Sequence, residues 1–110
     1  MKQKQKIIRT WKGWTTLENA PVYEDMLIHE VFPAVKKKGV DGLEKVSIST
    51  MKKKDEVEFF LMLQFDCLDA VKIFAGKNYK NAYIPDNAKK VLLRYDSTAK
   101  HFNLKEELVF

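Results

Sequence analysis

The 110-residue sequence is poor in the groups that most often build metal or redox centres: it has one cysteine and two histidines. A lone cysteine excludes an internal disulfide framework and a cysteine-based structural zinc site. His29 and His101 lie far apart in the chain and offer little to a metal. Three prolines and four glycines exclude collagen-like and linker-like sequence. No apolar run approaches the roughly 20 residues that span a bilayer. The longest, Val57 to Phe65, is interrupted by Glu58 and Gln64. The opening Met1-Lys2-Gln3-Lys4-Gln5-Lys6 has no apolar segment behind it, so the expectation is a chain without a signal peptide in the reducing cytoplasm. There is no Gly-rich phosphate loop, dinucleotide fingerprint or Gly-x-Ser-x-Gly elbow, and no two histidines stand four apart. No metal, cofactor or membrane partner is expected.

What is present suits one globular domain, with 45% apolar residues. The net charge of +5 at first suggests nucleic acid. Nine lysines, however, fall in three tracts: Lys2, Lys4 and Lys6; Lys36 to Lys38; Lys52 to Lys54. Without them 11 bases face 15 acids, a net of −4. The positive excess therefore belongs to a tail and two element ends, and no nucleic-acid partner is expected. The organisation read from the chain is a basic tail over residues 1–6, a single domain over 7–104 and a C-terminal tail over 105–110.

Ile7 to Trp14 is rich in β-branched and aromatic residues and predicts a strand. Thr15-Thr16 offers a helix cap, and from Leu17 the apolar period changes, with Tyr23, Met26, Leu27, Val31 and Ala34 on one stripe. Pro33 should bend or restart that helix, and Gly39 should end it. Leu43 to Met51 and Val57 to Phe65 predict a hairpin through Lys52 to Glu56. Phe59, Leu61, Leu63 and Phe65 share one face of the second strand, and Phe60, Met62 and Gln64 the other, so both faces need cover. Asp66 is a candidate cap for a helix from Leu68 to Ala75, ended by Gly76. Asn78 to Lys90 reads as irregular, Val91 to Tyr95 as either strand or helix, and Ala99 to Leu104 as the last strand. The order β-α-β-β-α-β is the split βαβ, ferredoxin-like plan, an α+β fold whose antiparallel sheet carries its helices on one face. The face left bare predicts a homodimer packed sheet to sheet.

Several segments resemble the antibiotic biosynthesis monooxygenase-like family of the dimeric α+β barrel superfamily. They are Arg9-Thr10-Trp11-Lys12-Gly13-Trp14-Thr15-Thr16, Tyr23-Glu24-Asp25-Met26-Leu27, Pro33 ahead of the Gly39-x-x-Gly42 turn, Phe65-Asp66-Cys67-Leu68-Asp69-Ala70, Phe74-Ala75-Gly76, Ala82-Tyr83-Ile84-Pro85-Asp86-Asn87 and His101-Phe102. The resemblance runs from about Ile8 to Phe102. It implies a homodimer with a pocket in each subunit between sheet and helices. Some members oxygenate polycyclic phenols or quinols without metal or flavin; others degrade haem. The haem-degrading pattern is missing: Phe74 stands at its Trp position, its His would fall near Ile84, and the first strand has no Asn. The closely spaced histidine pair of a stress-responsive branch is also missing. The Trp-x-Ser turn of many relatives reads Phe65-Asp66-Cys67.

The expected ligand is thus a small hydrophobic or aromatic molecule, and the expected reaction, if there is one, is cofactor-independent oxygenation of a phenol or quinol. The alternative is a non-catalytic binding or structural dimer of the same fold. His101 is the first candidate catalytic residue, a base for a phenolic proton; otherwise it bonds a neighbouring backbone group or faces solvent. Glu30, about one turn after Leu27, is the second; otherwise it pairs with Lys37 or another lysine. Trp11, Trp14, Phe65, Phe74 and Tyr83 are candidate aromatic walls, or else ordinary core and dimer packing. Trp11 and Trp14 should face opposite sides of the strand unless a bulge at Gly13 re-aims Trp14. Arg9, on the face of Trp11, is placed to pair with a substrate anion or with an acid across the dimer. Tyr79 and Tyr83 sit where a lid would lie, and Cys67 reads as a small buried residue.

Overall fold

The computed structural model describes residues 4–110. Lys2 of the basic tail lies outside the described residues. Strand β1 (Ile7–Thr16) is the spine of a five-stranded antiparallel sheet. It pairs along its whole length with β3 (Glu56–Phe65), which pairs in turn with β2 (Leu43–Lys52). The other edge of β1 is shared. Strand β4 (Leu92–Tyr95) covers Gly13 to Thr15, and β5 (Lys100–Asn103) covers Ile7 to Thr10. The sheet is the antiparallel, ferredoxin-like one expected, with its fourth position divided between two short strands.

Alternation decides which side of the sheet is dry. Phe59 and Phe65 are completely buried, Leu61 and Leu63 nearly so, and Ile7 and Trp11 of β1 lie beside them on the helix side. The opposite side of β3 carries half-buried Phe60 and exposed Met62.

The connection from β1 to β2 is a helix in three parts. Thr16 remains in the strand, and its hydroxyl accepts the Asn19 N–H at 3.0 Å, so the helix begins at Ala20 rather than near Leu17. Helix α1 (Ala20–Met26) carries Pro21 in its first turn, where a missing N–H breaks no bond. A π-turn follows over Leu27–Val31, and α2 (Phe32–Lys38) carries Pro33 at its start. Pro33 has no N–H to give the His29 carbonyl, and its ring would crowd that oxygen. The backbone widens instead, with the Phe32 N–H reaching back to the Leu27 carbonyl. Gly39 ends α2 in the left-handed conformation, at φ 74°.

Helix α3 (Leu68–Ala75) has the expected bounds and buries Ala70 and Val71. Its cap differs from expectation. Cys67 is the cap residue and makes no side-chain cap bond, whereas Asp66 turns inward beneath Gly42, leaving Oδ1 buried without a hydrogen-bond partner. Helix α4 (Asp86–Val91) occupies part of the stretch expected to be irregular and buries Ala88. Val91 to Tyr95 resolves mostly into strand. Among the described residues no helix is long and apolar enough to cross a membrane.

Candidate functional site

The helices stand off the sheet and leave a cavity of about 580 Å³. Leu61 and Leu63 of β3 and Trp11 of β1 form its floor, Tyr23 and Leu27 one wall, and Phe74, Ile84 and Ala88 another. The π-turn contributes Leu27, Glu30 and Val31, so the Pro33 break shapes the cavity as well as the helix.

Trp11 lies back along its own strand, with its indole N–H donating to the Asp96 carbonyl at 2.7 Å. Gly13 makes room for it. A Cβ at Gly13 would stand 2.6 Å from the indole Cη2. Any side chain there would therefore push the ring out of its place.

Arg9 brings a charged group into the interior. It is only 4% exposed and lines the cavity. Its Nη1 donates to the Tyr79 carbonyl and approaches His101 Nε2 at 3.0 Å, and its Nη2 donates to the Asn81 carbonyl at 3.2 Å. The guanidinium lies 5.6 Å from the Phe74 ring centre. No carboxylate forms an ion pair with it among the described residues, and burial lowers its pKa.

His101 faces Arg9 across the β1–β5 ladder. It does not line the cavity. Burial, then the positive charges of Arg9 and Lys80, lowers its pKa to about 4. With Nε2 accepting from Arg9, it is a neutral acceptor that steadies the guanidinium rather than a free base. Tyr79 packs edge-on against it at 5.2 Å.

Tyr23, read from sequence only as a stripe residue of the helix, is 3% exposed and packs edge-to-face on Phe59 at 4.9 Å. Its hydroxyl has no hydrogen-bond partner among the described residues, and burial raises its pKa strongly, so it stays protonated and able to donate. Tyrosine at an apolar stripe position carries no separate sequence signal for this role.

The other expected site residues divide. Phe74 lines the cavity. Tyr83 stands at its mouth, 78% exposed. Glu30 is also at the mouth, exposed and without an ion pair among the described residues. Trp14 does not join them. Strand alternation sends it to the open side of the sheet, where it donates to Glu58 at 3.1 Å and lies under Arg94. Phe65 is not a wall either: it is completely buried in the core and packs on Phe74 at 5.6 Å. Nor is the segment holding Tyr79 a loose lid, because Arg9 holds two of its carbonyls and Asn81 bridges to Thr98.

The sequence matches no protein-family model and no curated protein. The fold does have known counterparts. A crystal structure from Bacillus cereus, of a protein provisionally described as an antibiotic biosynthesis monooxygenase, aligns over 96% of this chain and 99% of its own, with a TM-score of 0.70 and 12% identity. The likeness extends over nearly the whole chain and is one of fold.

Proposed function

We propose that the chain binds a small, planar, mostly apolar ligand in the cavity between sheet and helices, as a homodimer joined through the open sheet face. The observation that carries this reading is the cavity itself. Its volume of about 580 Å³ falls within the range of small-molecule sites, and its aromatic and aliphatic walls hold only a few buried polar groups, Arg9 and Tyr23. An arene of two or three fused rings suits Trp11 and Phe74 as stacking partners. Tyr23 supplies a hydrogen-bond donor. The dimer is supported by the mixed apolar face of Trp14, Phe60 and Met62 on the side of the sheet that no helix covers.

Cofactor-free oxygenation is the second reading, and Arg9 is what favours it. A cation beside a phenol or quinol stabilises the anion. That anion can give one electron to dioxygen, and the resulting radical and superoxide can join through a C–O bond. His101 is already engaged, so Glu30 at the mouth is the carboxylate best placed to take the proton.

The test is titration of the Trp14→Phe protein with polycyclic phenols and quinols, following Trp11 fluorescence. Saturable quenching is expected, and no quenching by any of them would overturn the binding reading. Oxygen uptake with the same panel separates the two readings. Uptake that falls sharply in Glu30→Gln supports the enzyme; binding without uptake leaves a binding protein.

A further inference from the structure

We infer that the ligand of this cavity is an aromatic carboxylate, and that Arg9 is the residue that selects it. The inference rests on the reading of the cavity as a ligand site and adds the chemical class of its occupant. It starts from a buried cation with no anion beside it. Arg9 is 96% removed from solvent, and its bonded partners are two backbone carbonyls and a neutral imidazole. Dipoles solvate the charge without neutralising it, and a buried cation left in that state is costly.

A count of donors shows what remains. A guanidinium has five N–H groups. The two on Nη1 are taken by the Tyr79 carbonyl and His101, and one on Nη2 by the Asn81 carbonyl. The Nε–H and the second Nη2–H have no partner among the described residues. Nε and Nη2 are neighbours in the fork, and their free N–H groups are the donors left for the two oxygens of a carboxylate. The bonds to Tyr79 and Asn81 hold the fork in place before any ligand arrives, and the Phe74 ring backs it at 5.6 Å. Preorganisation of this kind favours a planar two-oxygen anion over a neutral oxygen.

The anion cannot readily come from a second copy of the chain across the open sheet face. Arg9 lies on the helix side of β1, with the sheet between it and that face, and the cavity is the space it borders. The same cavity is walled by Trp11, Tyr23 and Phe74, so the carboxylate belongs on an arene. Tyr23, a donor held protonated, suits a second oxygen on the same ring system.

The probes are 2-naphthoate and its neutral isostere 2-naphthamide, titrated against the Trp14→Phe protein by Trp11 fluorescence and against the unmodified protein by calorimetry. The acid is expected to bind at least tenfold more tightly than the amide, and Arg9→Met is expected to abolish the difference while keeping the amide bound. Equal affinities in the unmodified protein would overturn the carboxylate inference and leave the apolar ligand site standing. Binding of neither would overturn both. A preference that survives Arg9→Met would also overturn it, since another cation would then hold the acid. If Arg9→Met does not fold, the arginine Nε–H resonances of the unmodified protein decide. The sequence has two arginines, Arg9 and Arg94, and Arg94→Lys separates their Nε–H signals. The Arg9 signal should move with naphthoate and stay with naphthamide; an Arg9 signal indifferent to naphthoate overturns the inference.

Discussion

Arg9 and His101 meet across the β1–β5 ladder with Nη1 3.0 Å from Nε2, so the histidine accepts where sequence reasoning had it free to take a substrate proton. Neutrality of His101 is a condition of that contact, because two cations at this distance repel.

Stability should therefore depend on the histidine's proton. Its folded pKa of about 4 lies below the ordinary value of 6.5. Between those values the unfolded chain binds the proton and the folded one does not, so the contribution is complete above about 6.5 and is lost as pH falls towards 4. Discounted for partial exposure, it is worth about 1 kcal/mol. Urea unfolding of native protein and His101→Gln between pH 7 and 4.5 measures it. The native protein should lose more stability over that range, because glutamine can accept from Arg9 without titrating. Parallel losses would contradict the assignment.

Gly13→Ala should damage the cavity more than the strand. The added Cβ would meet the Trp11 ring at 2.6 Å and Leu92 at 3.2 Å. Overpacking of this kind costs about 1–3 kcal/mol, offset in part by about 0.5–1 kcal/mol from removing a strand glycine. The expected result is a modest net loss by denaturant titration, a shifted Trp11 emission in a Trp14→Phe background and weaker ligand quenching. Unchanged emission and quenching would mean that the ring does not depend on the gap.

Much of this architecture is legible in the sequence because it follows from alternation and end signals. Phe59 to Phe65 alternates cleanly enough to assign the buried face of β3, and Gly39 and Gly76 mark the ends of α2 and α3. Pro33 announces a break, although not that the break would be a π-turn lining a cavity. Helix α4 is hidden because six residues with only Ala88 buried carry no apolar stripe. The site is harder to see for another reason. Arg9 is bonded to carbonyls of Tyr79 and Asn81, and a backbone oxygen has no residue signature seventy positions away. Trp14 and Phe65 are aromatic like Trp11 and Phe74, and only the side of the strand and the depth in the core separate wall from packing.

Phe59 should carry a large share of the fold's stability. It has no exposed surface and holds Tyr23 edge-on at 4.9 Å, so it joins sheet to helix directly behind the cavity. Phe59→Ala removes a buried ring and leaves a void, a change that costs about 3–5 kcal/mol in well-packed cores. Urea denaturation should show a loss of that size, with ligand quenching weakened as Tyr23 loses its support. A loss below about 1 kcal/mol would mean that the core collapses readily around the gap.

The proposed dimer is tested most directly at Met62. It lies in the middle of β3, opposite Thr10 on one side and Ser47 on the other, and is 38% exposed on the face that no helix covers. In a single copy that site meets water, so Met62→Lys should leave the stability of the separated chain nearly unchanged. Between two sheets the same lysine would be stripped of water without an acid designed to meet it, and a buried unpaired charge opposes association strongly. Sedimentation at micromolar concentration should give about twice the 12.9 kDa chain mass for the native protein and 12.9 kDa for Met62→Lys. Native protein that sediments as a single chain would remove the dimer. A Met62→Lys protein that still sediments at twice the chain mass would place the interface elsewhere, away from the centre of β3.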